Sequence, residues 1–400
     1  MVILHIACLP WCITESFTRY FDTASLLHFR STCRALCRHV NSSVYKRGVN
    51  GQYTKVREWG EKLSTFSQHF LKSWIHHLKL NKHIAYTNFA TVVNFSSLQS
   101  LNMRWCDKSD ITYEAFKLLA ASSSLLSLNM SGCIQHSIGD ASFIALAKSS
   151  SLQSLNMSEC TQYSIGDASF IALSKSFSLQ YLNMSHCYQS SISDASFMSL
   201  SLSASLQSLD ISRCCQCSIS DASFAALAKS SSLKYLNMSG CDQIGITNKA
   251  FVSLSRSSSL ISLNMSDCRQ CSIGDAGIIA LSTSSSITSL DMSWCRQFSI
   301  SDAAFIALAG NTSLQSLDIK WCNQSSITDK TFVALARSSS LLSLNMRGCN
   351  QSSISDKAFI ALSESCSLRS LDMRWHNQTI VSEAAYTALD RNMSLKVLIY

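Results

Sequence analysis

The sequence predicts an α/β solenoid, a one-dimensional stack of short parallel strands and short helices, preceded by a small all-α head. Three observations predict it. The motif Leu-x-x-Leu-Asn-Met-Ser-x-Cys recurs every 27 residues, without insertion or deletion, from Leu98 onward; its second leucine falls at 101, 128, 155, 182, 209, 236, 263, 290, 317, 344, 371 and 398. A fixed period of this length marks one supersecondary unit copied and stacked. Within each unit the apolar spacing changes from alternation to the helical pattern. The first 97 residues do not repeat at all.

Taken in chain order, the head comes first. Apolar residues at Ile13, Phe17, Tyr20/Phe21, Leu26/Leu27, Phe29, Cys33 and Leu36 fit two or three short packed helices over residues 1–49. Pro10 is the only proline of the chain and follows Leu9. This stretch resembles the F-box, through Leu9, Pro10, Ile13, Phe17, Phe21, Leu26, Leu27, Cys33 and Arg34. It departs from that pattern at Cys12, Thr32 and Leu36, where the family has an acid, a valine and a tryptophan. The other reading of the same residues is a plain helical cap on the solenoid. Residues 50–97 read as linker and cap: Val56, Trp59, Leu63, Phe66, Phe70 and Trp74 follow the i, i+3/i+4 rule of an amphipathic helix, and Leu78-Lys-Leu80 reads as the first strand.

The repeats fill residues 98–400 as eleven units and a truncated twelfth. In the unit from Ser151, alternation around Leu155 and Met157 reads as a strand, and Ala168, Phe170, Ala172 and Leu173 fall on one helical face. An aspartate preceded by Ser, Thr or Gly opens most helices (Asp140, Asp167, Asp194, Asp221, Asp275, Asp302, Asp329, Asp356), where it is expected to cap that helix's N–H groups. No single unit can bury its Leu, Met, Ile and Phe; stacking does. The unit resembles the cysteine-containing leucine-rich repeat, and the whole order, F-box first and these repeats second, resembles the F-box/leucine-rich-repeat family. That resemblance implies a leucine-rich-repeat horseshoe with the parallel sheet on the concave face and helices on the convex one. With strands ~4.8 Å apart, twelve give an inner surface of roughly 50 Å or more.

Charge and cysteine usage bound the function. Residues 1–97 hold twelve Lys/Arg against four Asp/Glu, while residues 98–400 hold 21 of each. The arc is therefore not a general polyanion binder, which argues against nucleic acid as partner. The basic head reads either as solvated helix faces or as a surface for an acidic protein. No apolar stretch approaches the ~20 residues of a membrane span, so no membrane role is expected. The opening Val2–Leu9 is short, lacks a basic lead and runs into Pro10, unlike a secretory leader. Ten of the 18 cysteines occupy one repeat position (Cys106, Cys133, Cys160, Cys187, Cys214, Cys241, Cys268, Cys295, Cys322, Cys349), and His376 takes that slot next. A row of thiols, rather than a disulfide framework, favours the cytosol or nucleus.

Catalytic motifs are absent: no Gly-rich phosphate loop, no His-Glu-x-x-His, no nucleophile elbow. Cys268-x-x-Cys271 has zinc-like spacing, but Cys214 and Cys217 lie two strands away, about 10 Å, too far to complete one tetrahedral site. No cofactor and no metal are expected, and an enzyme is the least favoured class. The informative variation sits at strand ends, where copies should be free to differ. The slot before Cys carries Trp105, Trp294, Trp321 and Trp375, and the slot before that carries Arg104, Lys320, Arg347 and Arg374. Trp294, Arg296, Lys320, Trp321, Arg347, Arg374 and Trp375 therefore gather on one side of the late arc, with Asp291, Asp318 and Asp372 projecting beside them. They read as binding anchors for a target protein, or as a cation–π stack that serves stability alone.

The F-box resemblance implies a non-catalytic adaptor of a cullin-RING ubiquitin ligase. Leu9, Pro10, Ile13, Phe17, Leu26 and Leu27 would dock on the ligase's acidic linker protein, helped by Arg30 and Arg34, while the arc holds the target. The alternative is a ligase-independent scaffold or recognition protein whose head only caps the solenoid.

Overall fold

A computed structural model describes residues 54–55, 77–79, 96–106, 111–214, 218–374 and 381–399. The expected head over 1–49, with its F-box-like positions Leu9, Pro10, Ile13, Phe17, Leu26, Leu27, Arg30 and Arg34, lies outside the described residues, as do the Val56–Trp74 helix and Trp375. The described residues form one open parallel sheet of fourteen strands, each paired with its neighbours in sequence order. It opens with β1 (Thr54–Lys55) and β2 (His77–Lys79), then takes one strand per repeat from β3 (Ser100–Asn102) to β14 (Val397–Ile399). Two details differ from the sequence expectation. The sheet starts at Thr54, inside what read as linker, and the second strand is His77–Lys79, one residue earlier than Leu78–Leu80.

Register is fixed by the period. Ser100, Leu101 and Asn102 pair with Ser127, Leu128 and Asn129, and the same 27-residue offset holds down the sheet. The repeat strands are only three residues long, as in Ser154–Asn156. Repeat-to-repeat backbone bonds continue past them: Met130 N–H donates to the Asn156 carbonyl at 2.8 Å and Gln153 N–H to the Leu126 carbonyl at 2.8 Å.

Eleven helices of seven to nine residues, from α1 (Tyr113–Ala121) to α11 (Glu383–Asp390), cover one side of the sheet among the described residues. Strands pack ~4.8 Å apart and helices 8–10 Å apart, so the stack closes toward its sheet, which becomes the concave face. Between the layers runs a continuous core of Leu, Met, Ile and Phe columns; the helix phenylalanines Phe116, Phe143, Phe170, Phe197, Phe224, Phe251, Phe305, Phe332 and Phe359 are fully buried. Ile278 fills that column in the seventh repeat. The helical face is also shifted from expectation: Ala168 is exposed and Ser169 is buried beside Phe170 and Leu173.

Several polar columns tie each repeat to the next, and two of them start from residues the sequence singles out. The aspartate at each helix start does not cap its own helix. Asp302 accepts from Thr328 N–H (2.8 Å), Thr328 Oγ1 (2.7 Å) and Thr331 Oγ1 (2.7 Å), all in the following repeat. Asp167 and Asp194 bond Ser193 and Ser196, and Ser220 and Ser223, in the same way. Each carboxylate thus satisfies helix-start donors 26 to 29 residues ahead, where the helix dipole also favours it. Where Ser or Thr precedes the aspartate, that residue caps the helix, as where Ser301 accepts from Ala303 N–H; Gly139, Gly166 and Gly274 leave their helices without a side-chain cap.

The second column is the cysteine row. All ten are buried and outside any disulfide. Each thiol from Cys133 to Cys349 donates back to the carbonyl of the residue 30 before it; Cys160 reaches Met130 at 3.3 Å. Burial pushes the Cys160 and Cys349 thiols up to about 12, against smaller opposing backbone hydrogen bonds. A thiol this fully protonated is a small hydrophobe with a donor, not a nucleophile.

Candidate protein-binding surface

The residue before each ladder cysteine is in the left-handed region. Its φ is +58° at Trp105, +61° at Glu159, +56° at His186, +54° at Arg213, +55° at Asp267, +62° at Trp294 and +60° at Trp321, with Gly132, Gly240 and Gly348 at +63° to +69°. This slot is therefore not free to vary as the sequence suggested. Each side chain costs about 1 kcal/mol or more of backbone strain relative to glycine. The turn is imposed by two bonds: the slot's N–H donates to the next repeat (Trp321 to the Arg347 carbonyl, 2.8 Å), while the cysteine N–H turns back to its own strand end (Cys322 to the Ile319 carbonyl, 3.0 Å). The chain then points every slot side chain outward along one rim of the sheet.

Where glycine takes the slot, the previous repeat's large side chain lies over it. A Cβ on Gly132 would sit 2.5 Å from the Trp105 ring, one on Gly348 2.5 Å from the Trp321 ring, and one on Gly240 2.8 Å from Arg213 Cγ. The glycine gap also lets a charge reach two repeats ahead. Arg213 crosses Gly240 to Asp267 (Nη2–Oδ2 3.8 Å), and Arg104 crosses Gly132 to Glu159 (3.6 Å). Both pairs are exposed, worth under about 1 kcal/mol each.

The structure brings three of the predicted target-binding residues into contact. Trp294 and Trp321 stack with ring centroids 5.3 Å apart at 26°, and the Arg296 guanidinium lies 5.2 Å from the Trp294 ring. Trp294 remains 37% exposed, so the stack keeps an open outer face. Lys320, Arg347 and Arg374 follow one another in one column and are half-buried. Arg374 is engaged by its own strand: Nε and Nη2 donate to Asp372 at 3.0 and 2.6 Å. The hydrogen bond from Arg374 holds the Asp372 carboxyl below its ordinary value.

Asp291, Asp318 and Asp372 do not simply project. Each Oδ1 accepts the N–H two residues on (2.9, 2.9 and 3.2 Å), as the asparagines do in other repeats. One acceptor oxygen is all the turn needs, which explains why Asn and Asp interchange there. Burial pushes the Asp318 carboxyl above its ordinary range, with Asp291 adding to it, against the Lys320 backbone N–H and the Asn345 amide.

Sequence reasoning missed a further feature of the sheet face. Tyr181 and Tyr235 replace the strand serine two repeats apart, flank Ser208, and are each 46% exposed. The signal was a break in the serine column rather than in the strand-end slots. Among the described residues no three His, Cys, Asp or Glu side chains converge as metal ligands would.

A family model described as Leucine Rich repeat matches residues 229–245. Among solved structures, a chain of a TLR13–ssRNA13 complex aligns over 81% of this chain and 44% of its own, at 22% identity and TM-score 0.54. The chain has the leucine-rich-repeat fold. A chain of the Drosophila Toll–Spatzle complex aligns over 83% and 44%, at 13% identity and TM-score 0.52. A chain of the yeast Rad7 and Elc1 complex aligns over 77% and 83%, at 21% identity and TM-score 0.42. This leucine-rich-repeat chain spans less than half the length of the TLR13 and Toll-complex chains it matches. No curated protein sequence matches it. Among the described residues no helix is long and apolar enough to cross a membrane.

Proposed function

We propose that this protein is a non-catalytic adaptor that holds a target protein on the late rim of its sheet. One observation carries the reading. Trp294, Trp321 and Arg296 form a pre-stacked, partly exposed unit beside Lys320 and Arg347, so their rotamers are fixed before any partner arrives. Rigid aromatic and Arg anchors are what protein interfaces use, and preorganisation lowers the entropy lost on binding. Arg374 extends the patch by one repeat, and Trp375 follows it in sequence. The equal charge count over residues 98–400 favours a protein over a nucleic acid.

The finer reading is that the head links this arc to a cullin-RING ubiquitin ligase. It rests on the F-box resemblance of Leu9, Pro10, Ile13, Phe17, Leu26 and Leu27, with Arg30 and Arg34 beside them. The protein then works by proximity, bringing target lysines near a charged conjugating enzyme in the cytosol or nucleus. Proximity labelling from the intact chain, against a Trp294→Ala, Trp321→Ala variant, tests the rim; an unchanged set of labelled proteins sinks it. Pull-down of the acidic linker protein by the intact chain and by Leu9→Ala, Pro10→Ala tests the head. Loss of capture in the variant is expected. Equal capture, or none by either chain, leaves the ligase-independent scaffold as the reading.

A further inference from the structure

On the outer layer, one place between neighbouring helices differs in charge from its equivalents in the other repeats. Between α9 (Asp329–Ala336) and α10 (Asp356–Ser363) lies an open cleft of about 990 Å³. Its floor includes Val333, Leu342 and Ile360, the last two 40% and 42% exposed. Arg337, Lys357 and Arg369 line it, against a single acid, Glu364. The equivalent trios elsewhere are Ala121–Ala141–Gln153, Lys148–Ala168–Gln180, Lys175–Ala195–Gln207, Leu202–Ala222–Lys234, Lys229–Lys249–Ile261, Arg256–Ala276–Thr288, Thr283–Ala303–Gln315, Gly310–Lys330–Leu342 and Glu364–Ala384–Lys396. None reaches three cations. The balanced charge of the arc conceals this local excess.

The cations stand at both ends of the cleft. Lys357 is the second residue of α10, whereas Arg337 caps the C-terminus of α9 and Arg369 lies just before the next strand. A helix of eight residues separates the two ends by roughly 11 Å. Arg369 is held in place by donating from Nη1 to the Cys366 carbonyl at 2.9 Å. We propose that the α9–α10 cleft docks an acidic amphipathic segment of a partner protein, its apolar side on Leu342 and Ile360 and carboxylates at both flanks.

Charge placement selects that occupant. A fatty acid or lysolipid brings one headgroup to a cleft with cations at two ends, and an open floor leaves its tail wet. An amphipathic peptide covers the floor with its own outer face. The lining has no aromatic side chain on which a nucleic-acid base could stack. The cleft shares no residue with the tryptophan stack, and the experiment separates the two.

Short random peptides displayed on phage are selected on the intact chain and counter-selected on Arg337→Glu, Lys357→Glu. The survivors are expected to combine large apolar residues with Asp or Glu on both sides. Their affinity by fluorescence anisotropy is expected to fall about tenfold or more in that variant and to weaken with salt. Leu342→Ser weakens them as well, while Trp294→Ala, Trp321→Ala does not. Arg337→Gln, Lys357→Gln gives an intermediate loss and stands in if the charge reversal perturbs folding. Peptides without acidic bias, peptides bound equally by the variants, no selected peptide, or sodium oleate binding in their place would each overturn the proposal.

Discussion

At the scale of single residues, the decisive position is the left-handed slot before each cysteine. Three glycines there (Gly132, Gly240, Gly348) carried the signal in the sequence, but seven large or charged side chains in the same slot masked it. The strain is tolerated because two backbone bonds fix the turn whatever the residue, as at Trp321 and Cys322. Glycine is required where the preceding side chain folds down. Gly348→Ala places a Cβ 2.5 Å from the Trp321 ring at a φ of +69°. Left-handed strain and overpacking together predict a loss of about 2–4 kcal/mol in urea unfolding. In Trp321→Ala the clash is gone, so adding Gly348→Ala there costs only about the backbone share, 1–2 kcal/mol. Strictly additive effects would show that the ring does not occupy the space above Gly348. Sequence alone named Trp294, Trp321 and Arg296 as rim residues; that they touch depends on this backbone turn, and so was hidden.

At the scale of elements, the inter-repeat columns set the response to pH. The period located every aspartate, but not its partner, because a bond spanning 26 residues has no local signature. The carboxyls of Asp167, Asp194 and Asp302 are raised by burial, yet hydrogen bonds from the next repeat's hydroxyls and amides outweigh it and hold each below its ordinary value. Asp356 is held down by Ser382. A depressed folded value stabilises above the unfolded value of about 3.9 and is lost as pH falls through the folded one. Acid unfolding is therefore expected below about pH 4, followed by circular dichroism. Asp302→Ala removes the acceptor for buried Thr331 and costs about 1–3 kcal/mol. Asp302→Asn costs less, because Oδ1 alone still serves Thr328 N–H and Thr331 Oγ1. Asn248 shows the natural form of that exchange: it accepts only from Gly274 and Gly277 N–H, where both hydroxyls are missing. An Asp302→Asn variant as unstable as the alanine would refute the account. The cysteine row works in the opposite direction. Burial raises these thiols, so their contribution is complete below the unfolded value of about 8.5 and is lost as pH rises toward about 12. Among the described cysteines, iodoacetamide at neutral pH is expected to label Cys271 and Cys366 only, with the ten ladder thiols reacting on unfolding. Labelling of Cys160 in the native protein, read by peptide mass spectrometry, would contradict the buried row.

At the scale of the molecule, the solenoid was legible because the period is an integer of residues with no exception, so copying the unit copies the register. The α9–α10 cleft was not legible, because it requires residues from two helices and two strand entries to be neighbours, and none of its cations is unusual alone. The same architecture makes a strong prediction about length. Each repeat contacts mainly its two neighbours, so stability is close to a sum of units and interfaces. Ser137–Leu146 and Ser164–Leu173 are the same ten residues. Deleting residues 141–167 joins Asp140 to Ala168 and leaves a seamless helix start, with the phenylalanine, cysteine and serine columns in register. The deletion removes Glu159 and with it the exposed pair to Arg104, a loss of under about 1 kcal/mol. The shortened chain is expected to fold cooperatively, with unchanged circular dichroism per residue and a melting temperature lower by only a few degrees. A deletion of half that length, residues 141–153, shifts every later leucine off its column and exposes the core seam at one interface. That chain is expected to aggregate or to melt in two steps. If the half-unit deletion were tolerated as well as the full one, register between repeats would not be what holds this molecule together.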